Sequence, residues 1–153
     1  MRLSFLLQFT NRRAKDFFEK TLLDQPVHNA VVDDFGKIKL LQLGLRLTLP
    51  LHGGLRESAR LRALRAFEEK RTRLLIATNV AARGLDLSNI SHVINFDMPE
   101  DIETYVHRVG RTARMGRAGT AITFVGQYDI EMFEQLRKKF GETLKRHPLN
   151  IYA

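Results

Sequence analysis

Leu74-Leu75-Ile76-Ala77-Thr78-Asn79-Val80-Ala81-Ala82-Arg83-Gly84-Leu85-Asp86 is the stretch whose reading decides the fold. Its first four residues are apolar without alternation, as in a strand buried on both faces of a parallel sheet. The strand runs straight into small and polar residues. In open α/β sheets ligands gather outside the carboxyl ends of strands, so Thr78 to Asp86 is where a site is expected. Thr78 offers a hydroxyl and a backbone N–H to a phosphate, Gly84 permits close approach of the chain, and Asp86 can accept hydrogen bonds from a ribose. Each also has a plain structural role open to it: Thr78 as a helix cap, Gly84 as a helix stop, Asp86 as a loop residue.

Outward from this stretch, short apolar runs alternate with amphipathic ones, which predicts an α/β fold around a mostly parallel central sheet flanked by helices. We read strands at Leu3–Phe9, Leu45–Leu51, Leu74–Ala77, Val93–Phe96 and Ala121–Val125. Helices are expected at about Arg12–Leu23, Arg56–Glu69, with Leu61, Leu64 and Phe67 inward, and Tyr128–Phe140, with Ile130, Phe133, Leu136 and Phe140 inward. Residues 24–42 fit this rhythm poorly, because Gln25-Pro26 and Asp33-Asp34-Phe35-Gly36-Lys37 resemble turn signals. We read them as a surface insertion; an extra strand and half-helix within the sheet is the other reading.

Composition narrows the class of partner. The 153 residues carry 25 Lys and Arg against 17 Asp and Glu, a formal charge of +8, and no cysteine. The charge suits a polyanion, nucleic acid ahead of a membrane surface. Without cysteine there are no disulfides and no thiolate metal sites. No apolar run approaches the roughly 18 residues needed to cross a bilayer, and Gln8, Thr10, Asn11, Arg12 and Arg13 end the apolar start too early for a signal peptide. The length suits a single domain, residues 1–153.

The second informative run is His107-Arg108-Val109-Gly110-Arg111-Thr112-Ala113-Arg114. Its arginines recur every third residue, so Arg108, Arg111 and Arg114 fall on nearly one face if the stretch is helical. A guanidinium keeps its charge and matches phosphate oxygens with a planar fork of donors. Such a face grips a triphosphate or merely decorates a solvated surface, and spacing alone leaves both open.

Together the two runs resemble a known family. Thr78–Asp86 resembles motif V of the superfamily-2 helicases, and His107–Arg114 resembles motif VI in its DEAD-box form, HRxGRxxR. With Ser91–Pro99 between them, the order and separation are similar to the second RecA-like domain of a DEAD-box RNA helicase, over about Ser4–Phe140. The resemblance implies a RecA-like three-layer sandwich. It also implies that Arg111 and Arg114 act as catalytic arginine fingers on ATP, that Gly84 and Asp86 contact its ribose side, and that His107 and Arg108 link to the other helicase domain. Thr78, Arg60 and the His52-Gly53-Gly54 loop are implied RNA-backbone ligands, a sequence-tolerant grip.

Three departures stand out: Glu57 where the family has the glutamine of QxxR, Asn79 for the commoner aspartate of motif V, and Gln8-Phe9-Thr10-Asn11 in place of an FxNT motif IV. There is no GxxxxGK[ST] loop and no D-E-A-D motif. The family places those parts in a first RecA-like domain, read as absent here, which would also hold Mg²⁺; no metal site is expected on this chain. The expected partners are single-stranded or short duplex RNA and a first domain in cis or trans, with no membrane and a monomeric state. The isolated chain should not hydrolyse ATP. A stand-alone RNA-binding module and a decayed copy are the other readings. The Arg-Thr-Ala-Arg variant of motif VI and Gln127-Tyr128-Asp129-Ile130 are similar to ribosome-assembly members, which points to the nucleolus ahead of the cytoplasm.

Overall fold

The structure is a computed structural model and describes residues 2–7, 30–33, 48–78, 87, 90–126 and 128–146. Among these, seven strands form one sheet: β1 Arg2–Leu7, β2 Ala30–Asp33, β3 Thr48–Leu51, β4 Leu74–Ala77, β5 His92–Asn95, β6 Thr120–Val125 and β7 Leu144–Arg146. Their order across the sheet is β3-β4-β2-β5-β6-β1-β7, and every described pairing is parallel. Among the described residues three α-helices accompany them: α1 Glu57–Glu68, α2 Ile102–Val109 and α3 Ile130–Phe140.

The crossovers β3-α1-β4, β5-α2-β6 and β6-α3-β7 all step the same way along the sheet. Right-handed crossovers that step the same way put their helices on the same face. Register agrees: Val93 lies beside Ala121. Val93 packs in a core with Leu51, Leu75 and the α1 residues Ala63 and Phe67, and Ala121 packs in a core with Tyr105 and Val109 of α2 and Met132 and Leu136 of α3. The alternate residues Leu74, Ile94, Ile122 and Phe124 face the other way and are buried too. Both faces of the sheet are therefore covered, which explains the unbroken apolar run at β4. The edges are blunted by Pro50 in β3, which lacks an N–H to offer a further strand, and by exposed Lys145 and Arg146 in β7.

The stretch 24–42, read as a surface insertion, is corrected in part. Ala30–Asp33 is an interior strand, paired with β4 on one side and β5 on the other. Four residues are too few to show a period, and the paired aspartates that end the strand look like a turn; only pairing across the sheet reveals it. The rest of that stretch lies outside the described residues, as do the expected helix at 12–23 and the motif IV positions 8–11.

The expected helix faces hold apart from one residue each: Leu64 and Phe67 of α1 and Phe133, Leu136 and Phe140 of α3 face the core, whereas Leu61 and Ile130 do not. In α1 the buried residues are Ala63, Ala66 and Phe67, while Leu61 is 45% exposed. Alanines let the helix lie close on the sheet, so size is a poor guide to which side faces in. In α3 Met132 and Leu136 are buried, Phe133 and Phe140 are partly so, and Ile130 is 50% exposed. Helix α2 and strand β7 were not anticipated. Helix α2 begins at Asp101, whose carboxylate accepts the Thr104 backbone N–H at 2.7 Å and its hydroxyl at 2.9 Å, a capping arrangement that the Asp-x-x-Thr spacing announces.

Candidate RNA and nucleotide interface

The first group of candidate residues gathers at the carboxyl ends of β3 and β4. Thr78 follows β4, and its backbone N–H donates to the Leu51 carbonyl at 3.1 Å, beside the start of the 52–54 loop. That loop turns tightly: Leu55 N–H donates to the His52 carbonyl at 3.1 Å, and Gly54 N–H to His52 Nδ1 at 3.2 Å. His52, Gly53 and Gly54 are exposed. The turn delivers the chain to α1, whose capping position is Arg56 with no side-chain cap. Arg60, half-buried, closes the first full helical turn, its N–H donating to the Arg56 carbonyl at 3.0 Å. Thr78, the 52–54 loop and Arg60 thus share one corner. It offers exposed backbone, the positive end of a helix and two guanidinium groups, a combination suited to phosphate. Glu57, at the first helical position, adds a carboxylate to the same corner.

The arginine run lies elsewhere. Helix α2 stops at Val109, so Arg108, Arg111 and Arg114 do not form one helical face as the spacing suggested. Gly110 N–H closes the last turn on the Val106 carbonyl at 2.8 Å. Arg111 N–H and Thr112 N–H then bond to the Arg108 and Val109 carbonyls at 3.1 and 3.2 Å. Beyond them the backbone turns left-handed at Ala113 (φ 56°), Met115 (φ 54°) and Gly116 (φ 77°). Two such residues that are not glycine mark a strained turn, of the kind that accumulates at functional sites. Thr112 Oγ1 donates to the Ile90 carbonyl at 2.6 Å and contacts that of Ser91 at 3.2 Å, just ahead of β5. This turn therefore sits at the amino ends of β5 and β6, the opposite end of the sheet from Thr78 and the 52–54 loop.

His107 and the three arginines of the run have different surroundings. His107 is exposed. Arg108 is only 6% exposed, and its guanidinium donates to the Asp97 carbonyl at 2.9 Å. Helix side chains lean toward the helix amino end, which carries the group back to the loop after β5. Arg111 is half-buried. Arg114, also half-buried, folds its Nε onto the Gly110 carbonyl at 2.6 Å, a cation at a helix carboxyl end. Gly84 and Asp86 lie outside the described residues.

Between α2 and the sheet is a buried polar set that the sequence did not signal. Asn95 and Thr123 are register partners at 0% exposure, and Asn95 Nδ2 donates to Thr123 Oγ1 at 3.0 Å. The Tyr105 hydroxyl of α2 also meets Thr123; burial pushes its pKa above the ordinary 10.0, and that hydrogen bond opposes the shift. Helix α2 is thus tied to the sheet by a polar contact within an apolar layer. Among the described residues no group of three or more His, Asp or Glu could hold a metal ion, and no helix is long and apolar enough to cross a membrane.

The helicase conserved C-terminal domain family matches residues 18–116. The ATP-dependent rRNA helicase RRP3 of Phaeosphaeria nodorum is 49% identical over 121 residues, covering 76% of this chain and 22% of the relative. Among solved structures, the Escherichia coli DEAD-box protein SrmB bound to regulator of ribonuclease activity A superposes with a TM-score of 0.83 at 31% identity, covering 97% of this chain and 91% of that one. Saccharomyces cerevisiae Dbp5 bound to RNA and ADP BeF3 gives 0.79 at 30% identity, over 97% of this chain and 41% of that one. The chain spans roughly a fifth to a third of the curated relatives it matches, 22% of one and 33% of another. Family, parallel sheet and helix order agree: the chain belongs to the helicase conserved C-terminal domain family and has the RecA-like α/β fold of DEAD-box C-terminal domains.

Proposed function

We propose that this domain works as half of a composite ATP-dependent motor that remodels RNA locally, gripping RNA backbone at one end of its sheet and ATP at the other. The observation that carries the reading is the separation of its two cationic groups: the 52–54 loop, Thr78 and Arg60 at the carboxyl ends of β3 and β4, and Arg111 and Arg114 at the amino ends of β5 and β6. A rigid sheet between the two sites lets a change at one be felt as a rotation at the other.

At the RNA corner the groups on offer are the exposed 52–54 loop, the Thr78 hydroxyl and two arginines, chemistry suited to phosphate rather than to a base. At the other end, ATP supplies a γ-phosphoryl group whose charge redistributes as it transfers, and positioned guanidinium groups stabilise that change. Arg114 has its Nε on the Gly110 carbonyl, which holds its guanidinium against the end of α2 beside Arg111. Arg111, one residue beyond Gly110, approaches from the same turn. Gly84 and Asp86 are assigned to the ribose side by family resemblance. A first RecA-like domain, acting in cis or trans, would hold Mg²⁺ and the phosphates, so the 153 residues alone should turn over no ATP. His107 is exposed and suited to an interdomain contact; Arg108 would serve such a contact through the loop at Asp97 that it holds. The similarity to an rRNA helicase supports pre-ribosomal RNA as substrate and the nucleolus as the place of action.

The test joins the chain to a DEAD-box first domain. Arg111→Ala should lower RNA-stimulated ATP turnover about 100-fold, in line with the loss of a transition-state donor, with little change in RNA affinity. Arg60→Ala should do the reverse, weakening RNA and lowering the salt slope of binding by about 0.7. Unchanged turnover in Arg111→Ala removes the finger from the mechanism.

A further inference from the structure

We infer that Thr112 is a positioning residue: its buried hydroxyl latches the turn bearing Arg111 and Arg114 to the chain that follows motif V. The inference rests on the reading of those arginines as fingers. Thr112 is 3% exposed although both neighbours, Arg111 and Ala113, are half-exposed. Its hydroxyl points inward to the Ile90 carbonyl at 2.6 Å, with the Ser91 carbonyl at 3.2 Å. A hydroxyl has one proton, so the Ile90 carbonyl takes the short bond. The Ser91 carbonyl also accepts the Thr120 N–H at 3.0 Å and has a partner either way.

Two further features close the latch. Gly119 lies so near that a Cβ there would overlap the Thr112 hydroxyl and stand 2.5 Å from the Ala113 nitrogen. The left-handed conformation of Ala113 begins one residue past the bond, and that of Met115 follows. A strained turn persists when its surroundings over-determine it, and here the hydroxyl on one side and the glycine on the other do so.

At the far end, Ile90 is buried in the same core cluster as Leu87, the residue after Asp86. One hydrogen bond spanning 22 positions of sequence therefore joins the arginine turn to the segment leaving the proposed ribose contact. Any displacement of one end moves the other. Such a link holds the arginine turn in place against the described core residues Leu87 and Ile90, and a misplacement of a catalytic group by about 1 Å is enough to cost on the order of 100-fold in rate.

The experiment compares Thr112→Val, which keeps the shape and loses the proton, with Thr112→Ser, which keeps the proton. In the two-domain protein, Thr112→Val should lower kcat for RNA-stimulated ATP hydrolysis at least about tenfold with RNA affinity unchanged, and Thr112→Ser should restore most of it. Equal loss in both variants, or wild-type kcat in Thr112→Val, overturns the latch. Wild-type kcat in a parallel Arg111→Ala protein overturns the finger reading instead. Hydrogen exchange on the 153-residue chain guards against mere misfolding. Thr112→Val should speed exchange at the 111–113 amides and leave α1 and β4 protected; acceleration throughout makes the hydroxyl a stability element and rejects a positioning role.

Discussion

Replacing Gly119 with alanine tests the packing of the arginine turn directly. The added Cβ would lie 2.5 Å from the Ala113 nitrogen and 3.0 Å from its Cα, on backbone rather than on a flexible side-chain end. Relief requires the turn or the start of β6 to move by most of an ångström. Overpacking of this kind costs about 1–3 kcal/mol, and loss of the Thr112 hydrogen bond that the shift entails adds about 1 kcal/mol. At roughly 2–4 °C per kcal/mol for a chain of this size, the melting temperature should fall by about 10 °C. Gly116 provides the contrast. It has φ 77° and nothing within 4 Å of a Cβ, so Gly116→Ala meets conformational strain without a clash and should cost only about 1 kcal/mol. Thermal melts followed by circular dichroism on the wild type and both variants decide the matter. If Gly119→Ala melts within a degree of wild type, or loses less than Gly116→Ala, the turn is not packed as described.

Three further outcomes are expected. Glu57→Gln removes a carboxylate from the phosphate corner and should tighten single-stranded RNA binding about two- to fivefold, judged from the worth of one exposed charge pair; fluorescence anisotropy at two salt concentrations checks this, and weaker binding contradicts it. The hydrogen bonds from Thr104 hold the Asp101 carboxyl below its ordinary value of 3.8, so its contribution to stability is complete above that pH and fades as pH falls through the lower folded value. Asp101→Ala should therefore melt below wild type at pH 7, with the gap narrowing below about pH 4. Tyr105→Phe removes a buried hydroxyl from Thr123 and should cost about 1 kcal/mol near neutral pH. Because burial raises the Tyr105 pKa above 10.0, its contribution is intact below pH 10 and lost at higher pH, so the variant should resist alkaline unfolding better than the wild type in chemical denaturation at high pH.

What the sequence determined by itself was local: the uninterrupted apolar strand Leu74–Ala77, the phosphate-suited residues after it, and the HRxGRxxR run together with its family. These are legible because a few adjacent residues carry them. The order of strands was not, since Ala30–Asp33 is interior only by virtue of β4 and β5, which lie some forty or more residues further on. Nor was the fate of each arginine. A threefold spacing looks like one face of a helix, but α2 ends at Val109, with Arg108 turned inward to Asp97, while Arg111 and Arg114 ride a strained turn. Thr78 and the 52–54 loop stand at the carboxyl ends of β3 and β4, whereas the arginine turn stands at the amino ends of β5 and β6, a placement that spacing alone does not reveal. Burial, strand neighbours and a hydroxyl that finds a carbonyl 22 positions away are properties of chain segments brought together from a distance. The sequence names the groups that can bind phosphate, and only the tertiary structure decides which end of the sheet each one serves.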